Sequence, residues 1–147
     1  MKKKLLAMVA MSALMSSTLT FAAAQGSAAE AKSMLQKAVA AIKADKAKAL
    51  GQIALGDNGF RDRDLYPFCG GSDGNFTAHP QMTGKSMKTL KAQDGEALGM
   101  RLYDSAKEGE INEIEYQWPK PGGKDPVTKV SYVTKIGDQV CAVGYYK

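Results

Sequence analysis

A cation and the chain's single histidine lie close together in the sequence, within the run FRDRDLYPFCGGSDGNFTAHP at residues 60–80. Arg61 has a planar guanidinium that binds a carboxylate through two parallel N–H groups, and the imidazole of His79 donates a hydrogen bond or, when protonated, a charge. Turn residues at 70–75 predict a hairpin between two short strands. We therefore expect Arg61, Tyr66 and His79 to meet at the mouth of a small sheet, where they would bind a compact anion.

Aromatic side chains are predicted to line the same site. Tyr116 and Trp118 alternate with polar residues along one predicted strand and so share a face. Tyr132, on the next strand, would lie opposite them. Phe68 would share a face with Tyr66 and provide an apolar wall. These rings would exclude water from the site and restrict the shape of its ligand.

The same residues also have structural interpretations that the sequence leaves open. Lys129 is a second candidate cation, although simple alternation places it on the face opposite Tyr132 unless a bulge intervenes. Arg61 can instead pair with Asp62 or Asp64 at the surface. The histidine can be a packed core residue, and aromatics on half-buried strands are usually core. The predicted ligand-binding residues are Arg61, Tyr66, Phe68, His79, Tyr116, Trp118, Lys129 and Tyr132.

Arrangements typical of enzymes and metal sites are missing from the sequence. A single histidine cannot form a zinc-binding His cluster, and Ser72 and Ser131 are in no recognisable nucleophile motif. Asp62, Asp64 and Asp73 lack the spacing and terminal Glu of a calcium loop, so turn chemistry explains them better. We therefore predict a protein that is not an enzyme and has no cofactor.

The two cysteines, Cys69 and Cys141, both lie in predicted strands. An oxidising destination would allow them to form a disulfide, but their spacing does not show that their Cα atoms approach within about 7 Å. Two buried free thiols are the alternative. The spacing does not match haem attachment or CxxC redox motifs.

The N-terminus has the three parts of a secretory signal peptide. Lys2–Lys4 precede an uncharged stretch, Leu5–Phe21, and small residues up to Ala24. We predict cleavage after Ala24; an uncleaved anchor is the alternative, since the stretch approaches the ~20 residues that span a bilayer. Loss of three lysines lowers the formal net charge from +5 to +2, which gives no reason to expect a nucleic-acid partner. Residues 25–147 would then be one periplasmic or secreted domain.

Hydrophobic periodicity predicts that this domain is α+β. A long amphipathic helix is expected from Ser27 to about Ile53, and a shorter helix from about Gly95 to Lys107. Strands are expected at 65–69, 76–79, 111–118, 127–136 and 139–146. Two hairpins that flank a helical crossover predict a mostly antiparallel sheet of about five strands. The long helix would cover one side of the sheet and residues 81–107 would arch over the other, which is the predicted place for a cavity.

Several segments, taken in order, resemble single Cache domains, the extracellular sensor modules of bacterial chemoreceptors and histidine kinases. They are LYPFCGGSDGNFTAHP followed by GKSM, then YQWPKPGG, then KVSYVTKIGDQVCAVGYYK. The resemblance extends from about Ala28 to Lys147 and is of the sCache_2 type. It implies a PAS-like fold that binds small metabolites, often carboxylates, on the sheet beneath a loop and helix cover. Such domains are usually followed by transmembrane helices and a signalling domain, and we expect this chain to depart from that pattern as a stand-alone exported form.

Residues and resemblance together predict a periplasmic sensor module that binds a small molecule. It would recognise a small organic anion and signal through a separate membrane partner, a histidine kinase or a chemoreceptor. The alternative is an exported interaction domain whose sheet edge or long helix binds another protein and which has no small-molecule ligand. Because a ligand acts on a partner only by favouring one arrangement of its receptor, we expect residues 81–107 to change most on binding.

Overall fold

The computed structural model describes residues 24–147. The predicted signal peptide, apart from Ala24, lies outside the described residues. Of the helices in the described part of the chain, none combines the length and the apolar character that crossing a bilayer requires.

Two helices, and not the single long helix expected from the sequence, form the N-terminal region. They are α1 (Ala28–Ala44) and α2 (Lys46–Leu55). Asp45 separates them with an extended backbone, and its carboxylate accepts a hydrogen bond from a backbone N–H in the first turn of α2, as a helix N-cap does. Ile42 and Ala49 are both buried on the sheet side of the break. The apolar pattern therefore continues through the break and does not reveal it.

A five-stranded antiparallel sheet forms the centre of the domain, as predicted. Its strands are β1 (Pro67–Gly70), β2 (Phe76–Ala78), β3 (Asn112–Pro119), β4 (Pro126–Ile136) and β5 (Gln139–Tyr146). The strand order is β2-β1-β5-β4-β3, and every neighbouring pair is antiparallel. The first hairpin thus joins the second through the pairing of β1 with β5.

Each face of the sheet buries a separate hydrophobic cluster. Helices α1 and α2 pack on one face, which includes Tyr132 and Val143. The cover segment, defined here as residues 81–107, packs on the other face, which includes Phe68, Tyr116 and Val133. The only helix in the cover segment is α3 (Leu98–Ser105), which is shorter than the helix expected from the sequence. Turns make up most of the remaining cover segment.

A disulfide joins Cys69 on β1 to Cys141 on β5. The two residues are direct cross-strand partners with Cα atoms 4.1 Å apart. Both are fully buried on the face that α1 and α2 cover. The bond therefore links the two hairpins at the middle of the sheet.

Candidate ligand-binding site

Two adjoining spaces lie between the sheet and the cover segment. The inner cavity has a volume of only about 10 Å³. Its lining residues are Tyr66, Phe68, Phe76, His79, Met82, Leu90, Leu98, Tyr116, Trp118 and Lys129. The outer groove, with a volume of about 480 Å³, lies at its mouth. Its lining residues are Arg61, Arg63, Tyr66, Trp118, 79–82 and 119–123.

The inner cavity is almost filled by the protein's own side chains. Its volume is about the minimum that one water molecule needs, so the spacious cavity expected from the sequence is almost completely filled in this structure. The outer groove has room for a metabolite, and it shares Tyr66, His79, Met82 and Trp118 with the inner cavity. A ligand in the groove therefore meets these shared residues, and it reaches deeper only if the cover segment moves.

Lys129 places a buried ammonium at the base of this site. It is 1 % exposed, and its Nζ donates a hydrogen bond of 3.3 Å to the hydroxyl of Tyr66. Nζ also lies 4.6 Å and 4.9 Å from the ring centres of Tyr66 and Tyr146. Burial lowers the pKa of Lys129 from 10.5 to about 8, while the nearby charge of Asp64 acts in the opposite direction. The side chain thus remains mostly protonated at neutral pH, with few hydrogen-bond acceptors around it.

Gly144 and Tyr146 make room for this ammonium and enclose it. In the β4–β5 register, Ser131 pairs with Gly144 and Lys129 with Tyr146. A Cβ atom on Gly144 would lie 2.4 Å from Cε of Lys129 and 2.6 Å from Oγ of Ser131. Sequence reasoning missed both residues, although the tight turn at Gly137 already sets this register.

His79 is held as a neutral hydrogen-bond donor. Its Nδ1 accepts hydrogen bonds from the backbone N–H groups of Gln81 (2.9 Å) and Met82 (3.1 Å), so the proton of the neutral ring is on Nε2. Burial, together with the positive charges of Lys129 and Lys85, lowers the pKa of His79 from 6.5 to about 4. At neutral pH the residue therefore offers an N–H group and no charge.

Three aromatic rings surround the imidazole of His79. The ring centres of Tyr66, Phe68 and Phe76 lie 5.5, 6.0 and 5.0 Å from that of His79. Burial raises the pKa of Tyr66, so its hydroxyl stays protonated at neutral pH. Tyr66 is the member of this group that combines a ring with a polar atom.

Tyr116 and Trp118 lie on the covered face of β3, as predicted. The hydroxyl of Tyr116 is buried and forms a 2.8 Å hydrogen bond with Oγ of Ser131. Burial raises the pKa of this tyrosine. Trp118 is half-buried, contacts Tyr116 edge to face at 6.3 Å, and borders both spaces. It thus forms a wall between the inner cavity and the groove.

Arg61 lies at the rim and is exposed to solvent. The two aspartates proposed as its alternative partners are engaged elsewhere: Asp62 pairs with Arg63, and Asp64 accepts a hydrogen bond from the N–H of Gly26. Within residues 24–147, Arg61 forms no ion pair. Among the described residues, the Arg61 guanidinium at the edge of the outer groove therefore has no carboxylate partner.

Tyr132 does not reach this site, contrary to the sequence prediction. It lies on the opposite face of the sheet, where its ring stacks on Tyr145 at 5.9 Å and Nζ of Lys32 lies 5.8 Å from its centre. β4 continues without a bulge between Lys129 and Tyr132, and residues three apart on a regular strand point to opposite faces. Because the strand is regular here, the side chain of Lys129 faces the site and that of Tyr132 faces away from it.

The arrangement has the features of a receptor site for a small polar ligand. A buried cation, a neutral N–H donor and a tyrosine hydroxyl converge within aromatic walls, beneath a segment of turns and one short helix. Among the described residues, no three His, Cys, Asp or Glu side chains are grouped as a metal site would need. The fold and the site together are typical of the PAS-like class of sensor domains.

The chain belongs to the Cache domain family, whose dCache_2 profile matches residues 30–146. The structure resembles that of a methyl-accepting chemotaxis protein from Vibrio parahaemolyticus RIMD 2210633, with a TM-score of 0.65 and 26 % sequence identity over 80 % of this chain and 86 % of that one. The predicted Cache family and PAS-like fold are thus confirmed, and the matching profile is dCache_2 where the sequence resemblance was of the sCache_2 type.

Two further structures share the fold. One is a periplasmic sensor domain of a chemotaxis protein, with a TM-score of 0.60 and 21 % identity over 79 % of this chain and 87 % of that one. The other is a Cache chemosensory domain that recognises carboxylic acids, with a TM-score of 0.56 and 24 % identity over 79 % of this chain and 85 % of that one.

A curated relative matches a shorter part of the chain. It is the methyl-accepting chemotaxis protein McpP of Pseudomonas putida KT2440, which is 30 % identical over 56 residues, or 38 % of this chain. The match spans 10 % of that protein's length. The relatives together support a sensor module of the kind found in chemotaxis receptors.

Proposed function

We propose that this protein is a periplasmic, non-enzymatic sensor domain that binds a small organic anion of the carboxylate type. The ligand would bind where the outer groove meets the inner cavity, and a separate membrane protein, a chemoreceptor or a histidine kinase, would read the bound state. The observation that carries the proposal is the ammonium of Lys129, which is buried within an aromatic cage. Recognition of carboxylic acids by a Cache domain of the same fold supports the choice of ligand class.

The buried ammonium argues for an anionic ligand on energetic grounds. Burying a charge that is not fully paired destabilises the folded protein, and the lowered pKa of Lys129 reflects that desolvation. Within residues 24–147, no carboxylate oxygen lies within 4.0 Å of Nζ of Lys129, the distance that an ion pair requires. A bound carboxylate would supply the missing partner. Its hydrogen bonds with the ammonium of Lys129 would be strong because both groups are charged.

The neighbouring donors would orient the bound carboxylate. His79 offers its Nε2–H and Tyr66 its hydroxyl, both next to the space that the groove and the cavity share. Phe68, Tyr116 and Trp118 would shape the apolar side of the ligand. Arg61 at the exposed rim would attract anions from solution, which raises the association rate more than the final affinity.

Binding would require a small opening of the cover segment. Met82 and Leu90 line the nearly filled inner cavity and belong to that segment. A ligand that touches Lys129 must displace some of these side chains, so free and bound proteins should differ mainly at residues 81–107. A hydrogen-exchange experiment that shows no response there at saturation would contradict this mechanism.

A thermal-shift screen of the mature protein tests the proposal. The probes are acetate, propionate and succinate, each compared with its neutral amide, because binding to the native state alone raises the unfolding midpoint. We expect at least one carboxylate, and no amide, to stabilise the protein. The proposal is wrong if no carboxylate does so, or if amides act equally well.

Three variants locate the site. Lys129→Met removes the charge and keeps the side-chain volume, while Lys135→Met makes the same change at an exposed position of the same strand. His79→Asn keeps an acceptor near the position of Nδ1, so the turn at 79–82 is retained, but it removes the Nε2–H donor. We expect Lys129→Met and His79→Asn to lose the carboxylate response and Lys135→Met to keep it. An equal response in all three would place the ligand elsewhere.

The alternative, an exported interaction domain, has one observation in its favour, namely the nearly filled inner cavity. The exposed edge of the sheet argues against it. Along β3 the backbone carbonyls of Glu115 and Gln117 accept hydrogen bonds from Arg101 (2.9 Å) and from the backbone of Gln93 (3.1 Å), so this edge is partly occupied. Recovery of one stoichiometric protein partner, with no response to carboxylates, would favour the alternative.

A further inference from the structure

The turn at residues 61–66 contacts both the candidate site and the N-terminal end of the described chain. It lies between α2 and β1, and the backbones of Asp62 and Leu65 exchange two hydrogen bonds of 3.1 and 2.8 Å across it. Between them Arg63 adopts the left-handed conformation with a φ of 56°. Arg61 and Tyr66, the first and last residues of the turn, line the outer groove together with Arg63. The turn is therefore compact and borders the site.

The middle of the turn holds the segment that precedes α1. Oδ1 of Asp64 accepts a 2.6 Å hydrogen bond from the N–H of Gly26. The guanidinium of Arg63 donates to the carbonyl of Gln25 at 3.0 Å and forms a 2.6 Å ion pair with Glu30 in the first turn of α1. We call residues 25–27 the docked segment. Its contacts to the turn span more than 30 residues of sequence.

The docked segment fits closely against the turn. A Cβ atom on Gly26 would lie 2.2 to 2.6 Å from three side-chain carbons of Leu65. Leu65 is itself buried. Only glycine allows this approach without displacing one of the two segments. A substitution at Gly26 thus displaces the segment through its contact with Leu65, which lines neither the inner cavity nor the outer groove.

Asp64 connects the docked segment electrostatically to the site. It is 8 % exposed, and its Oδ2 is a buried oxygen without a hydrogen-bond donor among the described residues. Its negative charge supports the protonated form of Lys129. Lys129 in turn donates to Tyr66, two residues beyond Asp64. The carboxylate of Asp64 therefore binds the docked segment through Oδ1 and stabilises the buried ammonium of Lys129 through its charge.

We propose that Asp64 couples occupancy of the ligand site to release of the docked segment, an inference that rests on the function proposed above. A carboxylate bound at Lys129 takes over the positive charge that compensates Asp64 and places a second negative charge near it. Like charges in a poorly solvated site repel each other strongly. The turn then relaxes towards solvent, and the hydrogen bond to Gly26 is weakened. The conformation at the start of α1 therefore depends on whether the ligand site is occupied.

Coupling of this kind is reciprocal, which makes it measurable from both ends. If a bound carboxylate favours release of the docked segment, then release of the segment by mutation must raise the affinity for that carboxylate by the same factor. Gly26→Ala provides the release. Gly51→Ala is the matched control, because a Cβ at Gly51 meets no atom within 4 Å.

The experiment is a titration of the mature protein with acetate, propionate and succinate, followed by ¹⁵N–¹H NMR of the glycine amides and by calorimetry. We expect the Gly26 amide proton, shifted downfield by its short hydrogen bond to a carboxylate, to move upfield on saturation. We expect Gly26→Ala to bind the same carboxylate about fivefold or more tightly, the low end of ordinary coupling, and Gly51→Ala to bind as the wild type does. In Asp64→Asn the carboxylate should bind without any response of the Gly26 amide.

The outcomes separate this inference from the function on which it rests. Binding of a carboxylate with an unchanged Gly26 amide and an unchanged affinity in Gly26→Ala refutes the coupling and leaves the sensor function intact. A Gly26 response that persists in Asp64→Asn refutes the role of Asp64. Absence of binding by all three carboxylates refutes both the sensor function and the coupling.

Discussion

Replacement of Lys129 by methionine should stabilise the unliganded protein while it abolishes carboxylate binding. The pKa of Lys129 falls from 10.5 to about 8 because the side chain is buried. At 1.36 kcal/mol for each pKa unit, the charged form at pH 7 is disfavoured by about 3 kcal/mol relative to a lysine in water. Methionine fills a similar volume without a charge, but it gives up the contacts with Tyr66 and Tyr146. We therefore expect a net gain of about 1–2 kcal/mol in the free energy of unfolding.

The pH dependence identifies the charge as the cause. Between pH 8 and 10.5 the unfolded chain binds the Lys129 proton and the native protein does not, so the stability of the wild type rises with pH in that window. Below pH 8 the full destabilisation is present. Lys129→Met should lack this rise, so its advantage over the wild type should shrink as the pH increases above 8.

Urea unfolding at pH 7.0, 8.0, 9.0 and 9.5 measures both effects. Readings stop there because Tyr66, Tyr116 and Tyr146 have raised pKa values and lower the stability of both proteins above about pH 10. Lys135→Met, at an exposed position of β4, should change stability by less than about 0.5 kcal/mol. A Lys129→Met protein that is less stable than the wild type by more than about 1 kcal/mol, with an unchanged pH profile, would refute the reasoning.

Three further effects on stability are expected. The Cys69–Cys141 bond closes a loop of 72 residues in sequence separation, so the double variant Cys69→Ala/Cys141→Ala should lose about 4 kcal/mol in urea unfolding; a loss below about 1 kcal/mol would show that the bond constrains the unfolded chain little. Because the pKa of His79 is about 4 in the native protein and near 6.5 when unfolded, stability should fall by up to about 3 kcal/mol from pH 6.5 to 4, and His79→Asn should remove that part of the loss. Gly51→Ala should raise the free energy of unfolding by about 0.5–1 kcal/mol, because the position is helical and has free space around it; a decrease would contradict this.

Local patterns were sufficient for the strands and for much of the site. Alternation along residues 111–118 placed Tyr116 and Trp118 together on one face, as the structure has them. The hairpin predicted between strands 127–136 and 139–146 is also present. Such inferences succeed because the two-residue period of a strand and the geometry of a tight turn are properties of a few adjacent residues.

Errors arose where the outcome depended on which elements pack together. The sequence predicts Tyr132 opposite Tyr116 and Trp118 and needs a bulge to bring Lys129 to the same face, but β4 has no bulge there, and Lys129 is the residue that faces the site. The break at Asp45 was missed because both helices bury their apolar residues on the same sheet face. The filled inner cavity depends on how Met82 and Leu90 pack against the sheet, and no spacing rule predicts that.

Local sequence patterns were enough to predict the order and type of most elements, the likeness to Cache domains, and a cation, a histidine and aromatic rings at one end of a sheet. The folded structure was needed to show which charges are removed from water, that Lys129 is buried while Arg61 is exposed, and that Asp64 holds Gly26. The difference lies in the range of the interactions. The direction of a side chain from its strand is set by its nearest neighbours in the chain, whereas its solvation and its partners are set by segments that folding brings together from distant positions.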